Sequence, residues 1–131
     1  MNQTAYLLVR LAIGASMFGH GLVRLPKLAT FSQWMVGTFE KSMLPKIMVV
    51  PFSYGLPIAE FAIGLCLILG LFTKPAMIAG GIVMLILIFG TTLIENWEAL
   101  PSQLIHIVFF AVLLQFLSDN SWAFDTLFFK N

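Results

Sequence analysis

Long apolar segments separated by short polar stretches occupy most of the chain. The apolar runs cover approximately residues 4–25, 51–72, 75–94 and 101–118. Each run approaches or exceeds the roughly 20 residues that a helix needs to cross the hydrocarbon core of a bilayer. Because backbone groups in hydrocarbon must pair within their own segment, each run predicts a helix. The pattern therefore predicts an all-α integral membrane four-helix bundle, organised as a single four-span domain over residues 1–131.

A shorter amphipathic pattern lies between the first and second spans. Its large apolar side chains share one helical face, at Phe31, Trp34, Met35 and Phe39. Residues 30–33 fit a capping box, which indicates a helix start. A short helix with one aromatic face is typical of a segment that lies in the membrane interface. The sequence therefore predicts an interfacial amphipathic helix between helices 1 and 2.

Composition supports a membrane protein and excludes several other classes. Of the 131 residues, 60% are hydrophobic and only 10% are charged. A soluble domain carries about 25% charged residues, so this chain has too few ionic groups to cover a soluble surface. The net charge of +1 leaves no basic footprint for nucleic acid. The single cysteine, Cys66, excludes an internal disulfide, a CxxC redox pair and zinc-finger spacing.

Polar side chains inside the predicted spans are the main functional candidates. They are Arg10, His20, Glu60 and His106. Hydrocarbon excludes charge, so such residues usually face the bundle interior and pair with one another. At about 1.5 Å per helical residue, Arg10 is predicted to reach Glu60, and His20 is predicted to lie level with His106. Together with Arg24 at the end of the first span, these residues are the candidates for a ligand or proton site.

Each candidate also has a structural interpretation. Arg10 and Glu60 are equally consistent with a buried ion pair that only orients the helices. For His20 and His106 we favour hydrogen-bonded interfacial side chains over metal or haem ligation, because no additional metal ligand accompanies them. We therefore predict no metal site and no covalently bound cofactor. The chain has no flavin, iron–sulfur or dithiol motif, so a redox role requires electrons from a partner protein or a bound cofactor.

Small residues indicate where the helices approach each other closely. Within the second span, a proline one turn before Glu60 leaves a carbonyl without its intrahelical donor. A kink at that point would make room beside the carboxylate for a ligand or water. The predicted helix-packing residues are Gly14, Gly21, Pro57, Gly64, Cys66 and Gly70.

Several of these elements fit a known pattern. Residues 8–14 carry an arginine and a glycine, and residues 20–25 form the turn His-Gly-Leu-Val-Arg-Leu. Residues 57–74 contain a glutamate, a glycine, a leucine-rich run, another glycine and then Leu-Phe-Thr-Lys. This sequence resembles the DoxX family, in which lysine is usual at the position of Arg24. Residues 119–122, Asp-Asn-Ser-Trp, replace the Gly-Pro-Gly-Arg stretch that is usual in the family.

The resemblance covers most of the chain and implies a four-helix membrane bundle. The best-understood members and their relatives are linked to quinone reduction, sulfur oxidation and thiol or oxidative-stress complexes. It therefore implies a quinone- or lipid-carrier-interacting subunit of such a redox system. Arg10 and Glu60 would form the polar end of the site, and His20 would hydrogen-bond a carbonyl or relay protons. The expected partners are the bilayer, a redox partner protein and a second copy of the chain, in the bacterial cytoplasmic (inner) membrane.

Two other functions remain open at this point. The chain has no self-contained catalytic motif, so the sequence leaves open whether it acts as an enzyme, as a subunit of an oxidoreductase. An oligomeric, proton-coupled transporter of small molecules would use Glu60 as its proton-carrying group. A structural assembly subunit without its own activity would use the ion pair only to specify the fold. The role of the charged residues distinguishes these alternatives from a carrier-binding subunit.

Overall fold

The computed structural model describes residues 1–128, so residues 129–131 of the predicted domain lie outside the described chain. Within residues 1–128 every regular element is helical and no strand occurs. The elements are α1 (Gln3–Arg24), a 3-10 turn (Leu25–Lys27), α2 (Leu28–Phe39), α3 (Lys46–Leu69), α4 (Thr73–Leu93), α5 (Leu100–Gln115), a second 3-10 turn (Leu117–Asp119) and α6 (Phe124–Phe128).

The start of α1 and the junction with α2 follow from local chemistry. Asn2 Oδ1 accepts a hydrogen bond from the backbone N–H of Thr4 at 2.7 Å and so caps the first turn. Pro26, which cannot continue an α-helix, lies in the 3-10 turn that separates α1 from α2. The capping box predicted over residues 30–33 is wrong, because α2 starts earlier without a side-chain cap and Thr30 already lies inside it.

Helix α3 is longer than the predicted second span. It begins at Lys46 and continues through Pro51, which was predicted to start the span. It ends at Leu69 and is followed by Gly70, whose φ of +69° is a left-handed conformation that glycine adopts without a steric penalty. The N–H of Leu71 donates to the carbonyl of Cys66 at 2.9 Å, which completes a Schellman-type cap. Since α4 begins directly after this turn, α3 and α4 are antiparallel neighbours.

One apolar core joins α1, α3, α4 and α5. Its most buried side chains are at most 1% exposed, namely Tyr6, Met17, Leu67, Met77, Phe110 and Leu113. Helix α2 contributes nothing to this core. The long apolar helices therefore pack around a shared interior, and α2 packs separately.

Helix α2 packs on the first half of α3. Met35 of α2 forms a small buried cluster with Val49 and Leu56 of α3. The hydroxyls of Ser32 and Ser53 lie 2.6 Å apart in the same contact, so both buried polar groups are paired. Helices α1 and α2 thus lie one after the other along α3.

Glycines bring α1 and α3 into close contact. A Cβ added at Gly21 would overlap the backbone of Phe61, and one added at Gly64 would overlap the backbone of Phe18. Absent side chains at these two positions let the helix backbones approach directly, as small residues do in membrane bundles. This contact sets the register of α1 against α3.

The other predicted packing residues also lie at contacts. A Cβ added at Gly14 would lie 3.0 Å from the Cβ of Leu67. Pro57 is buried within α3, and Cys66 is partly buried against the main core. Gly70 ends α3, and its φ accounts for the glycine there.

The outer surface of the helices is largely apolar, and two charged side chains lie in the interior. Three helical stretches in residues 1–128 are long and apolar enough to cross a membrane, namely Gln3–Phe39, α3 and α4, whereas α5 is shorter at 16 residues. Large apolar side chains such as Leu8, Ile82 and Phe89 are more than half exposed, while Arg10 and Glu60 are buried. Apolar side chains outside and paired polar groups inside are the arrangement that helices surrounded by lipid require.

Candidate functional site

A cavity of about 660 Å³ lies between α1, α2 and α3 on one side and α4 and α5 on the other. One end of it is polar and is formed by four of the five candidate residues, His20, Arg24, Glu60 and His106. The remaining walls are largely apolar and include Met17, Phe31, Trp34, Met35, Phe52, Leu56, Met84 and Leu87. We call this space the Glu60 cavity. Its volume falls in the range of about 300–1,000 Å³ that is typical of small-molecule sites.

The charged group of the cavity is an ion pair between α1 and α3. Arg24 Nη1 donates to Glu60 Oε1 at 2.9 Å, and the Glu60 side chain is only 4% exposed. The Arg24 guanidinium also lies 4.5 Å from the ring centroid of Phe31, a cation–π distance. The pair leaves the polar end of the cavity without net charge.

Arg10 does not reach Glu60, so the predicted pair between them is wrong. Arg10 Nε donates to the carbonyl of Leu67 at 2.9 Å, and Nη1 donates to Asn120 Oδ1 at 2.6 Å. The Leu67 carbonyl is among the last four of α3, which have no intrahelical donor. The register of the two helices explains why Arg10 misses Glu60. The C-terminal end of α3 lies level with Arg10, whereas Glu60 lies level with the other end of α1, beside Arg24. Arg10 therefore caps a helix outside the cavity.

Both histidines are fixed by hydrogen bonds on the α1–α5 side of the cavity. His20 Nδ1 donates to the carbonyl of Ser16 at 2.6 Å, and His106 Nδ1 donates to the carbonyl of Ser102 at 2.7 Å. The Ser16 hydroxyl and His106 Nε2 form a hydrogen bond at 2.8 Å. The two ring centroids lie 6.4 Å apart, as the predicted depths indicate.

Metal ligation has no supporting geometry in the described residues. No group of three or more His, Cys, Asp or Glu side chains in residues 1–128 is arranged to hold a metal ion. Both ring nitrogens of His106 are engaged by protein hydrogen bonds.

Comparison with known proteins identifies the family. A family model described as DoxX matches residues 5–93. The chain belongs to the DoxX family. This confirms the resemblance seen in the sequence and, with the apolar helices, makes the protein an integral membrane protein. No curated protein and no solved structure matches the chain.

The DoxX match covers one part of the cavity and leaves out another. It includes α1 to α4 and thus Arg24, Glu60 and His20. Helix α5, which supplies His106, lies beyond the matched residues, and so does the C-terminal segment. Both members of the Arg24–Glu60 ion pair therefore lie within the matched residues, and His106 lies outside them.

Three residues of the cavity were not among the sequence candidates. Gln103 Oε1 is buried without a hydrogen-bond partner, and the side chain lines the polar end. Phe31 and Trp34 stack with ring centroids 5.7 Å apart and form an aromatic wall. The available signal was helical spacing, because Gln103 lies one turn before His106 on the same face of α5. In the sequence, the aromatic pair predicts a membrane interface.

The C-terminal segment of this DoxX protein closes the opposite end of the bundle. Asn120, which accepts from Arg10, also donates to Thr73 Oγ1 at 3.1 Å. The Asp125 carboxylate accepts from the backbone N–H groups of Phe72 at 2.6 Å and Thr73 at 2.8 Å, at the start of α4. Asn120 therefore links α1 to α4, and Asp125 holds the start of α4.

Proposed function

We propose that this DoxX-family protein binds a quinone or a similar lipid-soluble carrier in the Glu60 cavity, as the membrane subunit of a sulfur/thiol or oxidative-stress redox system. The observation that carries the proposal is the composition of this one cavity. It combines apolar and aromatic walls with a polar end made of an ion pair and two histidines. A few convergent polar groups in an apolar pocket are typical of sites that orient a small apolar ligand.

The aromatic wall supports a flat ring as the ligand head. Phe31 and Trp34 line the cavity and stack on one another, and the Arg24 guanidinium lies over the Phe31 ring. Flat rings favour offset stacking or edge contacts with such side chains. Because Arg24 and Glu60 neutralise each other, the cavity supports a neutral head better than a charged one.

The rim of the cavity supports entry from the bilayer. Several apolar side chains that line it are also strongly exposed on the outer surface, including Trp34, Met48, Ile86 and Phe89. These side chains belong to α2, α3 and α4. An apolar tail would therefore leave the cavity between these helices and remain in lipid, where its burial is favourable.

The membrane arrangement that accompanies this function is also a proposal. We place α5 as a fourth crossing and α2 in the interface, in one four-span domain of the bacterial cytoplasmic membrane. A redox partner protein would deliver or accept the electrons. A second copy of the chain is a further proposed partner.

Ligand retention in cavity-filling variants tests the proposal. Leu87 lines the cavity, whereas Leu85 on the same helix is 57% exposed and does not. Purified protein is incubated with a short-chain quinone, washed, extracted and analysed by mass spectrometry. Wild type and Leu85→Trp should retain the quinone, and Leu87→Trp should retain much less. Absence of quinone and lipid carrier from wild type, with no binding on titration, would overturn the proposal.

The ion pair also bears on the transporter alternative. Proton coupling requires a carboxylate that exchanges its proton during the cycle, and Glu60 is held by Arg24. This contact favours carrier binding over proton-coupled transport. A proton-linked flux assay on Glu60→Gln separates the two, because only a transporter would lose flux through that substitution.

A further inference from the structure

The guanidinium of Arg24 has more hydrogen-bond donors than the fold uses. A guanidinium carries five N–H groups and no acceptor. One of them, on Nη1, donates to Glu60 Oε1 at 2.9 Å, and Arg24 makes no other side-chain hydrogen bond within residues 1–128. The Arg24 side chain lines the Glu60 cavity and is 28% exposed, whereas that of Glu60 is 4% exposed. The cavity therefore meets unused donors of Arg24, and their carboxylate partner is covered.

Phe31 holds this guanidinium from helix α2. The Arg24 Cζ atom lies 4.5 Å from the Phe31 ring centroid, within cation–π distance. Arg24 is the last residue of α1, Glu60 lies on α3 and Phe31 on α2, so three helices fix the charged group. The Phe31 ring is itself stacked on Trp34, with centroids 5.7 Å apart. A donor that is already ordered loses less side-chain entropy when a ligand binds to it.

The free donors of Arg24 suit a neutral acceptor. Glu60 balances the guanidinium charge, so the cavity offers no net positive charge to an anionic group. A carbonyl oxygen is a neutral acceptor, and hydrogen bonds from a charged donor are stronger than those from a neutral one. Arg10, the other arginine of α1, is 2% exposed and donates to the Leu67 carbonyl and Asn120. Among the residues that the structure describes, Arg24 is therefore the arginine whose donors a ligand in this cavity can reach.

We infer that Arg24 donates a hydrogen bond to a carbonyl oxygen on the carrier head, and that Phe31 is the positioning residue that holds the guanidinium for this contact. The inference rests on the proposed function and specifies how the ligand head is bound. Gln103 is the competing donor, because its side-chain amide also carries N–H groups and lines the polar end. Glu60 and Phe31 hold Arg24 from two sides, whereas no hydrogen bond within residues 1–128 holds the Gln103 amide. Arg24 is therefore the better ordered donor.

The test compares two probes that differ only in their carbonyl oxygens. One is a naphthoquinone with a short alkyl chain, and the other is naphthalene with the same chain. Both are titrated against the full-length protein in one detergent, and the ratio of the two dissociation constants is compared between variants. Micelle partition is the same for every variant, so changes in this ratio report on the protein. After correction for partition, wild type should prefer the quinone by roughly tenfold or more, the factor expected for a hydrogen bond from a charged donor.

Variants assign the preference to its residues. The double variant Arg24→Met with Glu60→Leu removes the donor without leaving a buried carboxylate, and should abolish the preference for the quinone. Phe31→Leu keeps the ion pair and removes the ring, so the preference should fall roughly two- to fivefold, as expected for loss of a cation–π contact. Phe31→Tyr keeps a ring face and should retain the preference. Phe52→Leu is the matched control, because Phe52 lines the same cavity without contributing to the cation–π contact, and it should weaken both probes equally.

Each outcome separates this inference from the proposed function. If neither probe binds to wild type, the proposed function fails. If both bind equally well after correction for partition, carrier binding stands and the Arg24 contact is overturned. If Gln103→Leu abolishes the preference and the double variant keeps it, the assignment of the donor to Arg24 is overturned. If Phe31→Leu weakens both probes by the same factor, as Phe52→Leu should, the ring only fills the wall and its positioning role is overturned.

Discussion

Arg24 Nη1 lies 2.9 Å from Glu60 Oε1, and this bond joins the end of α1 to the interior of α3 beside the cavity. The other arginine of α1, Arg10, is bound at the opposite end of the same helix pair to Leu67 and Asn120. The two arginines therefore make separate sets of contacts. Substitutions at Arg10 and at the Arg24–Glu60 pair should have separable effects on stability and ligand binding.

Removal of the Glu60 carboxylate should destabilise the protein. Glu60→Ala leaves the guanidinium of Arg24, which is 28% exposed, without its partner. We expect the free energy of unfolding to fall by about 3 kcal/mol, the lower end of the range for a broken buried pair. Chemical denaturation in detergent micelles measures this change. Glu60→Gln keeps an acceptor for Arg24 and should lose less.

The double variant Arg24→Met with Glu60→Leu separates fold from function. Apolar side chains of similar size often replace a buried ion pair without loss of stability. We expect this variant to unfold near the wild-type midpoint and to bind the carrier much more weakly, because the polar end is gone. Carrier binding at wild-type affinity would instead support the interpretation that the pair only specifies the fold.

Arg10→Met should affect stability but not the cavity. The substitution leaves the Leu67 carbonyl and Asn120 Oδ1 without their donor, at about 1–3 kcal/mol for a buried unsatisfied group. The midpoint of thermal unfolding should fall, while quinone retention by the folded protein stays as in wild type. A selective loss of quinone binding with an unchanged midpoint would contradict the separation of the two arginines.

The direct contact between α1 and α3 should be intolerant of one extra carbon. Gly64→Ala would place its Cβ against the backbone of Phe18, so we expect a loss of about 1–3 kcal/mol from overpacking. Gly55→Ala on the same helix is the control, because its Cβ would meet nothing within 4 Å. There alanine should be neutral or stabilising by up to about 1 kcal/mol, through its higher helix propensity. Equal unfolding midpoints for the two variants would refute the close contact.

Asp125 should protect the start of α4. Asp125→Ala removes the carboxylate that accepts from the N–H groups of Phe72 and Thr73. Loss of a side-chain cap costs about 1 kcal/mol, so amide exchange in the α3–α4 turn should accelerate. Hydrogen–deuterium exchange followed by mass spectrometry measures the amide exchange rate in this turn. Asp125→Asn keeps one acceptor oxygen and should show an intermediate rate.

Hydrophobic periodicity predicted the all-helical structure, because burial of apolar faces fixes helices. The rise per residue of a helix also placed His20 level with His106. It could not predict which arginine meets Glu60. That choice depends on the register of two helices, and the register is set by the backbone contacts at the glycines.

The cavity was less accessible to sequence reasoning than the helices. Phe31 and Trp34 resemble interfacial aromatics in sequence, and only the packing of α2 on α3 turns them toward Glu60. Gln103 is an ordinary polar residue until its buried, unpartnered oxygen is seen. Long-range hydrogen bonds such as the one from Arg10 to Asn120 leave no local pattern in the sequence.

Photolabelling tests the central claim, that the Glu60 cavity binds a lipid-soluble carrier, most directly. A quinone with a photoreactive ring substituent is irradiated with the purified protein, and the adducts are mapped by mass spectrometry of peptides. We predict labelling of cavity side chains such as Trp34, Met84 and His106, and loss of that labelling when unlabelled quinone is added in excess. Labelling confined to outward side chains such as Leu85 and Ile82, unaffected by the competitor, would contradict the account.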